Sequence, residues 1–171
     1  TRVFKLAGNT AGWGWVWSSL GIMRETLLND FGGGTLSGRP VRVVQIGGPL
    51  GAYFPTSKLS LSMDYESLLA ADGMLGHGGI VVFDESVDLA VQAKFAMEFC
   101  AIESCGKCTP CRIGSTRGAE NLQKVMIGVD QGGNIKLLID LCEVRTDGSH
   151  CALGGVTPSR VKGVRVHCRG G

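Results

Sequence analysis

Three cysteines at three-residue spacing, Cys105-Gly-Lys-Cys108-Thr-Pro-Cys111, constrain this chain more than any other feature. Three thiolates on one glycine-containing turn can point around a single compact object. That is the usual arrangement for three corners of an iron–sulfur cluster. A zinc site prefers well-separated pairs of ligands. Gly106 leaves room for close backbone approach, and exposed N–H groups there can donate to sulfur and raise a reduction potential. A helix starting near Thr109, with Pro110 tolerated in its first turn, turns its positive end toward an anionic cluster.

A four-iron cubane needs a fourth ligand. All seven cysteines lie in the C-terminal half, an odd and crowded set unlike a secreted disulfide framework. The candidates are Cys100, Cys142, Cys151 and Cys168. Cys100 shares an apolar helix face with Phe95 and Ala96, and Cys142 falls in the apolar stripe of a later helix, so both read as core. Cys168 sits in a polar tail and reads as a bystander. Cys151 follows Asp147-Gly148-Ser149 and precedes Ala152-Leu-Gly-Gly155, a glycine-flanked loop able to fold back over a cluster. The expected ligands, for metal and cofactor alike, are Cys105, Cys108, Cys111 and Cys151. With no second triplet of cysteines and no C-x3-C-P ending, one cluster is expected. Four thiolates leave no open iron site, so the role is electron transfer, with a purely structural metal as the competing reading.

The rest of the chain divides in two. Residues 1–75 are rich in glycine and short apolar runs. Arg2–Leu6 and Val41–Ile46 read as strands, and Leu20–Phe31 as a short helix stopped by Gly32-Gly33-Gly34. Trp13, Trp15 and Trp17 alternate on one strand face, as core or as a stacking surface. Ile80–Phe83 reads as one more strand, and Asp84, Glu85 and Ser86 as the capping chemistry of a helix start. Beyond Ser86 the apolar spacing is helical, with further helices over Thr109–Val125 and Asn134–Val144. The fold class is therefore α+β: a small β-grasp-like unit followed by an all-α helical bundle carrying the iron–sulfur cluster.

Other candidate sites are weaker. Gly47-Gly-Pro-Leu-Gly51 could cradle a phosphate, but reads as a turn because no dinucleotide fingerprint accompanies it. His77 reads as a loop residue and His150 as a solvent-facing neighbour of Cys151. Arg112, Arg117 and Lys124 follow the ligands and read as a solvated helix face, with cluster neutralisation as the alternative. A formal net charge of +2 over 171 residues argues against nucleic acid as partner. No apolar run reaches the ~18 residues of a spanning helix. No secretory leader opens the chain, and the strand-like start at Thr1 reads as the edge of something longer.

Glu103-Ser-Cys-Gly-Lys-Cys-Thr-Pro-Cys-Arg112, with Cys151-Ala-Leu-Gly-Gly155 and Thr157-Pro158 downstream, resembles the C-terminal part of the NADH-binding flavoprotein (51-kDa-type) subunits. These serve respiratory complex I, NAD-linked hydrogenases and soluble NAD-dependent formate dehydrogenases. Ala96–Ile102, Arg112–Gly118, Asp30–Gly34 and Gln45–Tyr53 look most like the formate dehydrogenase beta subunit. Gly12–Ser18, the stretch after Pro158, and Arg145 and His150, which stand where apolar residues are expected, depart from the pattern.

The resemblance implies an SLBB, β-grasp-like domain over 1–78, a linker strand over 79–83 and a 4Fe–4S helical domain over 84–171, with 159–171 an atypical tail. It implies a relay between FMN of a preceding domain and clusters of partner subunits, namely a thioredoxin-like 2Fe–2S subunit and a larger Fe–S or catalytic subunit. FMN and NAD belong to the full-length subunit, not to this segment. The same likeness implies a bacterial cytoplasmic location, with a place at the periphery of a membrane complex as the alternative.

Overall fold

The structure is a computed structural model that describes residues 1–167; the bystander assignment of Cys168 lies outside them. The chain forms two compact units, Thr1–Val87 and a second beginning at Asp88. The class is α+β, as expected.

The first unit is built on a five-stranded sheet. Its strands are β1 (Arg2–Gly8), β2 (Gly14–Ser18), β3 (Val41–Ile46), β4 (Ala52–Pro55) and β5 (Gly79–Asp84). Their order is β2-β1-β5-β3-β4; β1 and β5 run parallel and the other neighbours antiparallel. The residues expected as a linker strand thus occupy the middle of the sheet. The β-branched run Ile80-Val-Val82 explains this, since a strand paired on both sides suits apolar branched side chains. Phe4, Leu6, Val44, Ile46, Ile80 and Val82 bury one face.

Register settles the tryptophans. Phe4 pairs with Val16 on the core face, so Val3↔Trp17 and Lys5↔Trp15 fall on the other. All three rings are exposed, Trp13 by 83%. Their placement in the core is therefore overturned; they form a surface row, with Lys5 Nζ 5.4 Å from the Trp15 ring centre.

The helix expected from Leu20 begins only at Arg24. Gly21 and Met63, and Ile22 and Met63, are tied by backbone hydrogen bonds, which hold the approach to the helix extended. Helix α1 (Arg24–Thr26) continues as a π-turn over Leu27–Phe31, burying Leu27 and Leu28. Gly32 ends it: a Cβ there would lie 2.5 Å from the Leu28 carbonyl oxygen. Arg24 is fully buried, with its guanidinium 4.3 Å from the Phe54 ring centre. Burial lowers its pKa to about 10, so it stays charged at neutral pH.

A short helix, α2 (Tyr65–Ala70), has no counterpart among the elements expected from the sequence. It is six residues long with one buried apolar side chain, Leu68, too little for periodicity to register. Asp64 caps it, accepting from Ser67 N at 2.7 Å. Gly47–Gly51 is a tight turn between β3 and β4, with Gly51 N bonded to Gly48 O at 2.8 Å. A Cβ on Gly51 would stand 1.9 Å from Ile46 O, so packing explains these glycines.

The second unit comprises α3 (Leu89–Glu103), α4 (Thr109–Met126), α5 (Gln131–Gly148) and α6 (Ala152–His167). Helix α3 packs on α4 and α6, and α5 on α4 and α6, as in a four-helix bundle. The cap of α3 is Asp88, whose carboxylate accepts from Ala90 N and Val91 N, not Asp84–Ser86. Asp84 instead ends β5 and takes bonds from Ser37 Oγ and from Ser86 N and Oγ.

Small residues let the helices approach. On α4, Gly114 and Gly118 are buried; a Cβ would come within 2.9 Å of Arg145 Cδ at the first and of Met97 Sδ at the second. The glycine-flanked loop expected around Cys151 is largely helical. Asp147 and Gly148 close α5, and Ala152–Gly155 open α6. Only Ser149–Cys151 connect them. The reason is packing: at Gly154 a Cβ would lie 3.0 Å from Cys111 Cβ, so this glycine serves close approach rather than flexibility.

Candidate metal centre

The cysteine turn fills the gap between α3 and α4. Ser104 leaves the helix in an extended conformation, and Gly106 turns the chain with φ +76°, a region that only glycine enters cheaply. Gly106 N donates to Ser104 Oγ at 3.3 Å, and Ser104 Oγ lies 3.5 Å from Cys111 Sγ. Cys108 is the N-cap of α4 and Cys111 lies in its first turn. Cys108 and Cys111 are buried, whereas Cys105 is exposed.

The α5–α6 connection lies directly against this turn. A Cβ on Gly148 would lie 3.0 Å from Pro110 Cγ. The backbone N–H of His150 donates to the Cys108 sulfur, and this bond is the largest of the effects that hold that thiol below its ordinary pKa. Gly154 faces Cys111 Cβ. Cys151, exposed, lies between two residues that touch the turn and is the N-cap of α6: Gly155 N bonds its carbonyl at 3.2 Å. Among the described residues, no three Cys, His, Asp or Glu side chains close on one point as the ligands of a single ion do.

The remaining cysteines keep to the core. Cys100 is fully buried, its sulfur 2.7 Å from Thr157 Oγ1, and burial is the main cause raising its thiol pKa. Cys142 is fully buried on α5. Arg117 pairs with Glu120 at 2.6 Å on an exposed face, and Lys124 is exposed. Arg112 differs: its Nη1 would be 3.4 Å from a Cβ on Gly106, so the guanidinium lies over the turn. The imidazole of His150 is exposed; its contribution comes from the backbone, which residue type does not disclose. Ser104 and Thr157 escape a reading of the sequence because lone hydroxyls carry no spacing signal.

The donor set fits an iron–sulfur cluster. The turn supplies thiols, soft donors suited to iron and sulfide. Two long helices, α4 and α6, start at cysteines, and their positive ends favour anions. Among the described residues Ser149 Oγ, on the segment seated against the turn, is buried without a hydrogen bond, as are Nε and Nη2 of Arg145, whose stem packs on Gly114.

Comparison with known proteins agrees. Residues 91–170 match the NADH-ubiquinone oxidoreductase-F iron-sulfur binding region. The chain is 38% identical over 161 residues to the NADP-reducing hydrogenase subunit HndC of Solidesulfovibrio fructosivorans, covering 94% of this chain and 33% of that protein. It is 36% identical over 150 residues to the F 2 subunit of the NADH-quinone oxidoreductase of Rhizobium meliloti (strain 1021), covering 88% and 36%. It therefore spans about a third of the length of these relatives. Its fold matches a chain of an NAD+-reducing [NiFe]-hydrogenase in the air-oxidized state, with TM-score 0.87 and 24% identity over 99% of this chain and 28% of that one. The H2-reduced state gives TM-score 0.86 and 25% identity, over 98% and 28%. A family match over the cysteine bundle and relatives along nearly the whole chain converge on one assignment. Residues 91–170 carry the NADH-ubiquinone oxidoreductase-F iron–sulfur binding region, and the chain is similar along nearly its whole length to subunits of NAD(P)-linked oxidoreductases.

Proposed function

We propose that this chain is an electron-relay segment of an NAD-linked oxidoreductase, and that Cys105, Cys108, Cys111 and Cys151 hold its single 4Fe–4S cluster. The observation that carries this reading is the seating of 148–154 on the cysteine turn, with His150 N–H on Cys108 and Gly154 on Cys111. When bound, the cluster supplies one-electron transfer between a flavin in another part of the same polypeptide and clusters of neighbouring subunits. The protein's own share is to hold and shield. Cys105 and Cys151 stand at the solvent side and Cys108 and Cys111 inside. Gly106 keeps the turn tight, and Arg112 lies across it. The sheet unit, Thr1–Val87, in this reading an SLBB domain, docks partner subunits, and the helical unit that begins at Asp88 carries the relay.

At the finer level, the parent enzyme is a cytoplasmic NAD-dependent formate dehydrogenase and this chain part of its FMN- and NAD-linked beta subunit. Arg112-Ile-Gly-Ser-Thr-Arg-Gly118 and Ala96–Ile102 support that choice. The names of the relatives favour a second reading, the corresponding subunit of an NAD(P)-linked hydrogenase or of an NADH–quinone oxidoreductase. Anaerobic reconstitution with iron and sulfide tests the relay: about four irons and four sulfides per chain are expected, with the EPR signal of one reduced cluster. Stoichiometric zinc without sulfide overturns it. Electron delivery from formate or from hydrogen in the assembled enzyme separates the finer readings.

A further inference from the structure

Arg145 lies in the last turn of α5 and is fully buried. Its aliphatic stem runs along Gly114, one helical turn beyond Cys111 on α4, where even a methyl group would lie 2.9 Å from Cγ and Cδ. Nη1 donates to Met97 Sδ at 2.7 Å, a neutral and weak acceptor; the guanidinium also reaches the Cys100 thiol, and among the described residues Nε and Nη2 meet no oxygen acceptor. Among the described residues no carboxylate pairs with it; the ion pairs there are Lys94–Glu98 and Arg117–Glu120. A buried guanidinium without a counter-ion is costly, so the arrangement calls for negative charge nearby. The surroundings point to where it belongs. Arg145 O accepts from Ser149 N at 3.2 Å, at the start of the segment that carries Cys151. Arg145 also faces the thiol of Cys100, which in turn senses Cys111.

We propose that Arg145 is the buried counter-charge of the iron–sulfur centre and holds its reduction potential up; this rests on the cluster-bearing reading above. A thiolate-ligated cluster is anionic and becomes one unit more negative on taking an electron. A fixed positive charge in the low-dielectric interior stabilises the more negative state more, whereas an exposed cation such as Arg112 is screened by water and salt. Arg145 binds no iron in this arrangement; it acts through its field on the residues that do.

The test is an anaerobic dithionite titration of the reconstituted chain followed by EPR, with iron and sulfide counted for each protein. The variants are Arg145→Leu, Arg145→Gln and Arg145→Lys. The neutral variants should shift the ratio of reduced to oxidised cluster at a given potential by about tenfold toward oxidised, a midpoint about 59 mV lower for one electron. Arg145→Lys should keep the wild-type midpoint. Loss of the cluster in the neutral variants with retention in Arg145→Lys also supports the proposal. Unchanged midpoints in the neutral variants overturn it. So does a fall in Arg145→Lys as large as in Arg145→Gln, or cluster loss in all three, either of which assigns Arg145 to packing. A wild-type chain that takes up no iron and sulfide brings down the cluster reading itself and this proposal with it.

Discussion

Cys108 and Cys151 hold equivalent places: each immediately precedes a long helix, and each offers its carbonyl to that helix's first hydrogen bond. Arg112 N meets Cys108 O at 3.0 Å, and Gly155 N meets Cys151 O at 3.2 Å. At Cys108 the backbone N–H of His150 reaches the sulfur and favours its charged form. Two helices, α4 and α6, therefore start at cysteines that lie 43 residues apart in sequence.

Replacing Cys151 by Ala should prevent a complete cubane, with iron and sulfide falling below about four each per chain. Cys100→Ala should keep the full complement, because Cys100 bonds Thr157 within the core; it should cost stability of about 1 kcal/mol through the lost volume. Iron and sulfide analysis beside a urea titration reads both. Equal cluster loss in the two variants would contradict the ligand set.

Gly154→Ala should damage the centre without touching a ligand. The added methyl meets Ser149 Oγ at 2.3 Å and Cys111 Cβ at 3.0 Å, an overpacking expected to cost about 1–3 kcal/mol. Gly132→Ala is the control, since nothing lies within 4 Å of its Cβ position and the residue is helical. It should gain about 0.5 kcal/mol from helix propensity. Denaturation midpoints of the two should move in opposite directions.

Asp84 makes stability depend on acid pH. The hydroxyl of Ser37, then the hydroxyl and N–H of Ser86, hold its carboxyl below the ordinary value. A depressed folded pKa contributes stability that is complete above the unfolded value, about 3.9. That contribution is lost as pH falls through the folded value. Asp84→Asn should lower stability at neutral pH and flatten the acid limb below about pH 4. Thermal melts across about pH 2–7 check the slope, and parallel curves for the two proteins would refute it.

Arg24 carries a buried charge that faces the Phe54 ring, and among the described residues its Nε, Nη1 and Nη2 have no hydrogen-bond partner. Arg24→Met should therefore leave the fold intact and raise its stability by about 1–2 kcal/mol, because an apolar side chain of similar volume carries no desolvation cost. A fall in the urea midpoint would show that the cation–π contact outweighs that cost.

Local chemistry made much of this protein legible before any fold was known. The spacing of Cys105, Cys108 and Cys111 is a covalent fact about one turn. The helices expected over Thr109–Val125 and Asn134–Val144 announce themselves through periodic stretches, though the second runs further at both ends, to Gln131 and Gly148, and β3 announces itself through a β-branched run. What escaped has a common cause in contacts between distant segments. Whether Trp13, Trp15 and Trp17 face core or water depends on the pairing of Phe4 with Val16, since a one-residue slip exchanges the two faces of a strand. Gly154 reads as part of a glycine-flanked loop until Cys111 is found against it. Arg145 reads as a departure from the family pattern, where an apolar residue is expected, until the bundle closes around it and leaves its stem packed on Gly114, one helical turn beyond Cys111. Residue types and spacing determined which atoms are available to hold a cluster. Only tertiary packing decided which of them are brought together, because side chains remote in sequence meet when helices pack, and burial then sets the strength of every charge among them.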